Sequence, residues 1–284
     1  MATQTQRKQT AGGAKRLSSG FFSDYPDKAW TERVILAQSL FWISAVALVM
    51  VTGMIQALSE TSLLLLSTTL AAPPVLLPIF LSPSRPDKAL PWSECYWLKL
   101  NVWVFIVVAF GTYFGTHYFF DLMGMRYAFD VRWTFESRIV GQSEQRVPVF
   151  MYPLTHAFFM SYFVLLLVAE RWILLIISGA KTQPAGSLVR ALVVLTLSYG
   201  LAFTETFFMA NDFMTGLFSY DKHERMMALG SFGYAAYFIV GLPMVRRVDD
   251  GERWTIGRVI IEALATCMGI LTLLEGWAKV VGPL

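Results

Sequence analysis

Leu197-Ser198-Tyr199-Gly200-Leu201-Ala202-Phe203-Thr204-Glu205-Thr206-Phe207-Phe208-Met209-Ala210-Asn211-Asp212 is the stretch that decides the fold. It is the far half of an apolar run that begins near Leu188, and the whole run is long enough to cross a hydrocarbon layer of about 30 Å as a helix. Yet it carries a carboxylate, threonines, a tyrosine and a serine. Ser198, Glu205 and Asp212 recur every seven residues, two helical turns, so they share one face with Ala202 and with Phe208 or Met209. An ionisable group at membrane depth is costly unless it faces a bundle interior or a cavity. That face therefore points away from lipid, and Glu205 is the first site candidate. The alternative is a structural glutamate hydrogen-bonded to a neighbouring helix.

The rest of the 284-residue chain agrees with a membrane setting. Hydrophobic residues make up 55% of it, charged residues only 15%, and the mean hydropathy is +0.52. The expected class is all-α, a polytopic transmembrane helix bundle of about seven spans. A β-barrel would need short segments of alternating polarity that are not present. Cys95 and Cys267 lie far apart in or beside apolar segments, so neither a disulfide framework nor a zinc site is indicated. No feature points to nucleic acid, and the oligomeric state is not encoded in any recognisable pattern.

Residues 1–20 read as a disordered basic tail with no apolar core, and 21–33 as an amphipathic interfacial lead-in. The remainder, 34–284, reads as one transmembrane domain. Its spans are expected at 34–58, 63–81, 99–120, 152 to about 169 with a possible extension to 177, 188–210, 226–245 and 256–281. Pro73, Pro74 and Pro78 remove backbone donors from the second span, which predicts a kink or a break there. Sixteen of the 23 Lys and Arg residues fall on the side of the N-terminus, which the positive-inside rule places in the cytoplasm.

This topology brings polar groups to one leaflet. His117 lies near the outer end of the third span, His156 one turn into the fourth, and Glu205 roughly 7 to 10 Å below the outer end of the fifth. Glu275 of the seventh span is expected at the same level. Desolvation at that depth favours a neutral carboxylic acid over a carboxylate. His117 or His156 alone would more commonly be a packed, hydrogen-bonded residue; their convergence with Glu205 is what suggests a site. Haem ligation by the two histidines would ask for more buried positions, and no c-type attachment motif exists. Glu262, near the cytoplasmic end, reads as structural.

From about Trp92 to Pro283 the residues form a familiar pattern. It comprises Tyr96-Trp97, Lys99, Asn101 and Trp103, then Thr116-His117-Tyr118-Phe119-Phe120, Trp133, Val147-Pro148 and Leu154-Thr155-His156. It continues through Ser198-Tyr199, Ala202, Glu205-Thr206, Ala210-Asn211, Tyr234, Tyr237-Phe238-Ile239-Val240, Pro243-Met244, Trp254 and Arg258-Val259. In these residues the chain resembles the cycloeucalenol cycloisomerases, the cyclopropyl-sterol isomerases known from plants. Asp212 departs from the pattern, the first ninety residues match weakly, and 134–146 looks like an insertion.

The resemblance implies a membrane-bound sterol isomerase that converts a 9β,19-cyclopropyl sterol to a Δ8 sterol without a cofactor or metal. It implies a sterol substrate taken from the lipid bilayer, in the endoplasmic reticulum of a eukaryote or the inner membrane of a bacterium. Such chemistry asks for a shielded acid, π-faces for a developing cation, and a base. Glu205 suits the acid, with His117 or His156 setting its protonation or acting as base. Tyr118, Tyr199, Phe208, Asn211 and Tyr237 are the expected substrate-binding residues. Two rivals remain at this point: a sterol double-bond isomerase, which uses the same acid-then-base logic, and a proton-coupled transporter or lipid-binding membrane protein in which Glu205 and the histidines form a relay.

Overall fold

The computed structural model describes residues 20–139, 146–178, 186–210, 214 and 216–284. Seven helices in it are long and apolar enough to cross a membrane. They are α1 (Pro26–Val51), α2 (Glu60–Phe80), α3 (Tyr96–Phe114), α4 (Met151–Ser178), α5 (Ser187–Met209), α6 (Ser231–Arg246, the main part of a span that runs His223–Arg246) and α7 (Ile256–Val281). Large apolar side chains such as Leu40, Phe41, Leu65, Phe105, Leu188, Phe207 and Phe208 stand exposed on the outside, where lipid chains would cover them. Trp103, Phe163, Phe238 and Leu100 fill the interior. α4 is the central post, packed against α1, α2, α3, α5 and α6.

The helix ends differ from expectation in instructive ways. α1 starts at Pro26, inside the stretch read as a separate lead-in, because its first turns are docked. Glu32 is 1% exposed; it accepts from Ser23 N at 2.9 Å and pairs with Arg171 of α4 at 2.8 Å. The same pairing lets α4 run past Glu170 and Arg171 to Ser178, since Glu170 is bonded in turn by Arg246 of α6. Charges near a helix end are tolerated here because each has a partner on another helix.

α2 is one unbroken helix with all three prolines inside it, contrary to the expected kink or break. A proline at position i leaves the carbonyl of residue i−4 without its helical donor. Pro74 frees the carbonyl of Leu70, which accepts instead from Gln38 Nε2 of α1 at 3.1 Å. Pro78 frees the carbonyl of Pro74, which accepts from Asn101 Nδ2 of α3 at 3.0 Å. Neighbouring helices thus supply the donors that the sequence of α2 lacks. α1 is tied to α4 in a similar way, with Ser39 Oγ and Trp42 Nε1 donating to Ser161 Oγ at 2.6 and 2.7 Å.

The end of the bundle away from the chain's start is closed by loop structure. A π-helical turn, His117–Leu122, follows α3, and another, Met226–Gly230, leads into α6. Two small antiparallel sheets cover the opening. β1 (Met125–Tyr127) pairs with β4 (Phe218–Tyr220), and β2 (Thr134–Glu136) with β3 (Arg146–Pro148). Gly124 makes the turn into β1 at φ +68°, where its carbonyl accepts from Asp221 N at 2.8 Å. The expected insertion at 134–146 contributes β2 and the start of β3; residues 140–145 lie outside the described residues.

Candidate active site

Beneath this cap lies a cavity of about 870 Å³, counting its open mouth. Four helices, α3 to α6, give it a face each. α4 contributes Met151, Thr155, Phe158 and Phe159, spaced i, i+4, i+7, i+8, and α5 contributes Glu205, Thr206 and Met209. α3 and its π-turn present Gly111, Thr112, Gly115, Thr116, Phe119 and Phe120, and α6 presents Tyr234 and Tyr237. The roof is Met125, Tyr127, Val147, Phe218 and Tyr220. A lining of rings with a few convergent polar groups is the chemistry that suits a rigid apolar ligand.

Glu205 is the carboxylate of this wall. Its Oε2 accepts a hydrogen bond from the Tyr234 hydroxyl, and Tyr162 of α4 also reaches it. Two tyrosines of the roof, Tyr127 and Tyr220, sit within its field. Burial pushes both hydroxyls above the ordinary phenol range, and the charge of Glu205 adds to the effect at each. Tyr237 donates to the Gly111 carbonyl at 3.3 Å. Its ring lies where a Cβ on Gly111 would be, 2.6 Å from Cε1, so the glycine is what admits this aromatic side chain to the wall.

The expected residues divide sharply on this frame. Glu205 and Tyr237 line the cavity; neither histidine does. Both belong to elements that line the cavity, the π-turn after α3 and helix α4, but to other faces of them. In the π-turn, Thr116, Phe119 and Phe120 face the cavity, while His117 turns away, its Nδ1 2.9 Å from Asp121 Oδ2. Tyr118 does not line the cavity either; it is buried in the core and in contact with Glu275, which is exposed and not part of the wall. His156 follows cavity-facing Thr155 by one residue, about 100° around the helix. Its Nε2 lies 3.1 Å from Asn101 Oδ1, in the seam with α2 and α3.

Tyr199 is stacked on Phe232 at 4.3 Å between α5 and α6, away from the cavity. Phe208 is 62% exposed on the lipid side of α5; of the two positions weighed for the inner face, Met209 holds it. Asn211 and Asp212 lie outside the described residues. Glu262, read as structural, sits 3.5 Å from Arg247 and 3.9 Å from Arg258 at the opposite end of the bundle.

Tyr127, Tyr162 and Tyr220 are the polar groups near Glu205 that the sequence reading did not single out. The signal for two of them was present as alternation. Met125-Arg126-Tyr127 and Phe218-Ser219-Tyr220 place their first and third residues on one face, and all four line the cavity.

Fold and cavity together define a multi-span helical membrane protein built around a carboxylic acid in an aromatic chamber. Comparison with known proteins gives the particular relationship. The chain is 30% identical over 265 residues to "Cycloeucalenol cycloisomerase" of Arabidopsis thaliana, a match that covers 91% of this chain and 88% of the plant protein. It belongs to the cycloeucalenol cycloisomerase family and is an isomerase. The match is longer than 92–283, the range where the resemblance is strongest, and so takes in the first helices as well. No protein-family model and no solved structure matches the chain.

Proposed function

We propose that the protein opens the 9β,19-cyclopropane ring of a cyclopropyl sterol, in the manner of cycloeucalenol to obtusifoliol, with Glu205 transferring the proton. The observation that carries this reading is the placement of the Glu205 carboxyl, bonded by Tyr234, on the wall of a cavity otherwise made mainly of rings and aliphatic side chains.

The reaction asks little else of the protein. The proton of Glu205 goes to C19, and the electron pair of the C9–C19 bond becomes the new C–H bond of the methyl group. The cation left at C9 faces the rings of Phe119, Phe158, Phe159 and Tyr237, whose π-faces stabilise positive charge. Loss of the hydrogen on C8 turns its bonding pair into the C8–C9 double bond and restores neutrality. C19 and that hydrogen are both on the β face of the sterol, so one carboxyl group can give the first proton and take the second. No proton is consumed overall and no electron changes hands. Tyr234 donates to the carboxylate that exists between the two transfers, when a charge-assisted bond is strongest.

In this scheme His117 and His156 transfer no proton, because neither faces the chamber; His156 ties α4 to α3, and His117 pairs with Asp121 inside its own π-turn. The substrate contacts come from Tyr237 and the phenylalanines rather than from Tyr118, Tyr199 or Phe208. The transporter alternative drew on a relay of Glu205 and the two histidines; neither histidine lines the cavity, and α2 is continuous. A double-bond isomerase would use the same acid, so the substrate decides between the two.

Sterol profiling tests the proposal directly. A host supplied with cycloeucalenol and expressing the chain should accumulate obtusifoliol, carrying deuterium from heavy water at the new methyl carbon. Glu205→Gln, folded normally, should not. Full turnover by that variant would remove Glu205 from the acid role, and proton flux in vesicles without any sterol conversion would favour transport.

A further inference from the structure

The roof of the cavity is a two-faced sheet, and its inner face is chemically uneven. Residues opposite each other in an antiparallel pair share a face, and so do residues two apart on one strand. The register Met125↔Tyr220 and Tyr127↔Phe218 therefore puts Met125, Tyr127, Phe218 and Tyr220 together, looking into the chamber. Arg126 and Ser219 occupy the other face and are exposed, with Arg126 paired to Asp221 at the surface. Two apolar side chains and two phenols thus close the space above Glu205.

The phenols are uncommitted. Tyr234 donates to Glu205 and Tyr237 to the Gly111 carbonyl, and Thr116 and Thr206 bond carbonyls of their own chain segments at 2.9 Å. Tyr127 and Tyr220 make no hydrogen bond to a described residue, so each keeps a donor and an acceptor for a ligand. Thr112 and Thr155 are also uncommitted, but they belong to α3 and α4. The tyrosines belong to the roof, and their hydroxyls lie within the field of Glu205. That proximity matters for a sterol. Its hydroxyl carbon and the ring-fusion carbon that bears the cyclopropane lie in the same six-membered ring, one ring diameter apart. Whatever grips the hydroxyl must therefore stand beside the acid that protonates the cyclopropane.

We infer that Tyr127 and Tyr220 form the binding site for the sterol hydroxyl, so that the β1–β4 sheet fixes the depth and register of the substrate over Glu205. This rests on the cyclopropyl-sterol reading and adds to it a specificity site outside the transmembrane helices. The ligand is defined as a 3-hydroxy sterol, and a sterol lacking that oxygen is disfavoured because two cavity-facing phenols lose their partner.

The test compares a cyclopropyl sterol with its 3-deoxy counterpart on the full-length protein in detergent or vesicles. The wild type should prefer the hydroxylated sterol in kcat/KM by about tenfold or more, the scale of one to two hydrogen bonds. The double variant Tyr127→Phe/Tyr220→Phe keeps both rings and should bring that preference to within about threefold, through KM for the hydroxy sterol with kcat retained. Ser219→Ala, on the outer face of the same sheet, should leave the preference intact.

Equal use of both sterols by the wild type would overturn the inference. So would a fall in kcat for both sterols in the double variant, which would make the phenols partners of the acid, or an equal loss of preference in Ser219→Ala, which would make it a matter of sheet stability. Turnover of neither sterol by the wild type would sink the cyclopropyl-sterol reading and this inference with it.

Discussion

Asn101 fixes the tautomer of His156. The Asn101 side chain faces two carbonyls, Trp97 O at 2.8 Å and Pro74 O at 3.0 Å, so the amide NH₂ must point there and the amide oxygen must face His156. His156 Nε2, 3.1 Å from that oxygen, therefore carries the proton. Nδ1 is left as a bare acceptor, buried and without a partner among the described residues. The imidazole is thereby part of a latch across α2, α3 and α4.

A latch and a catalytic base respond differently to truncation. His156→Ala should leave Asn101 Oδ1 buried and unsatisfied, a loss of roughly 1 to 3 kcal/mol of stability. Thermal melting in detergent should fall accordingly, while kcat of the folded protein stays within about threefold of wild type. His156→Gln, which can return a donor, should recover part of the loss. A hundredfold drop in kcat with unchanged melting would instead return His156 to the chemistry.

Tyr234 separates the proton-transfer step from substrate binding. Tyr234→Phe keeps the ring in the aromatic wall and removes only the hydrogen bond to Glu205. A bond to a charged acceptor is worth about 1.5 to 3 kcal/mol, so kcat should fall roughly 10- to 150-fold with KM little changed. Steady-state kinetics on the cyclopropyl sterol reads this split. A rise in KM at constant kcat would mean that Tyr234 binds substrate and does not serve the carboxylate.

Gly111 is a steric requirement of the cavity. A Cβ there would lie 2.6 Å from Tyr237 Cε1 and 3.2 Å from its hydroxyl, in a helix that cannot yield because Val107 and Val108 are themselves buried. Gly111→Ala should force Tyr237 off the wall, with about 1 to 3 kcal/mol of overpacking strain. Activity should drop more than in Tyr237→Phe, which loses only the bond to the Gly111 carbonyl. Finding Gly111→Ala as active as Tyr237→Phe would show that the wall repacks freely.

These positions also mark what was legible in the sequence. Hydropathy gave all seven spans, because a bilayer imposes one length and one polarity on every helix. Glu205 stood out for the same reason, as a carboxylate inside an apolar run. The histidines were expected beside Glu205 and lie on other faces of the elements that line its cavity: position along a helix follows from counting residues, whereas direction around the axis changes at a π-turn and shifts by about 100° per residue. The roof tyrosines belong to strands of three residues, too short for their alternation to stand out from loop sequence. The continuity of α2 depends on Gln38 and Asn101, 32 and 27 residues from the carbonyls that they serve, and no local pattern announces such a partner.

The Gln38–Pro74 relationship makes that last point testable. Gln38 Nε2 donates to the Leu70 carbonyl only because Pro74 has no N–H to offer it. Gln38→Leu alone should orphan a buried carbonyl and lower stability by roughly 1 to 3 kcal/mol. Pro74→Ala restores the helical donor, so the same Gln38→Leu change made in that background should cost much less. A double-mutant cycle on melting in detergent therefore expects a coupling of about 1 kcal/mol or more between residues on different helices. Strict additivity would mean that the Leu70 carbonyl draws no stability from Gln38, and that α2 stays whole through packing against its neighbours alone.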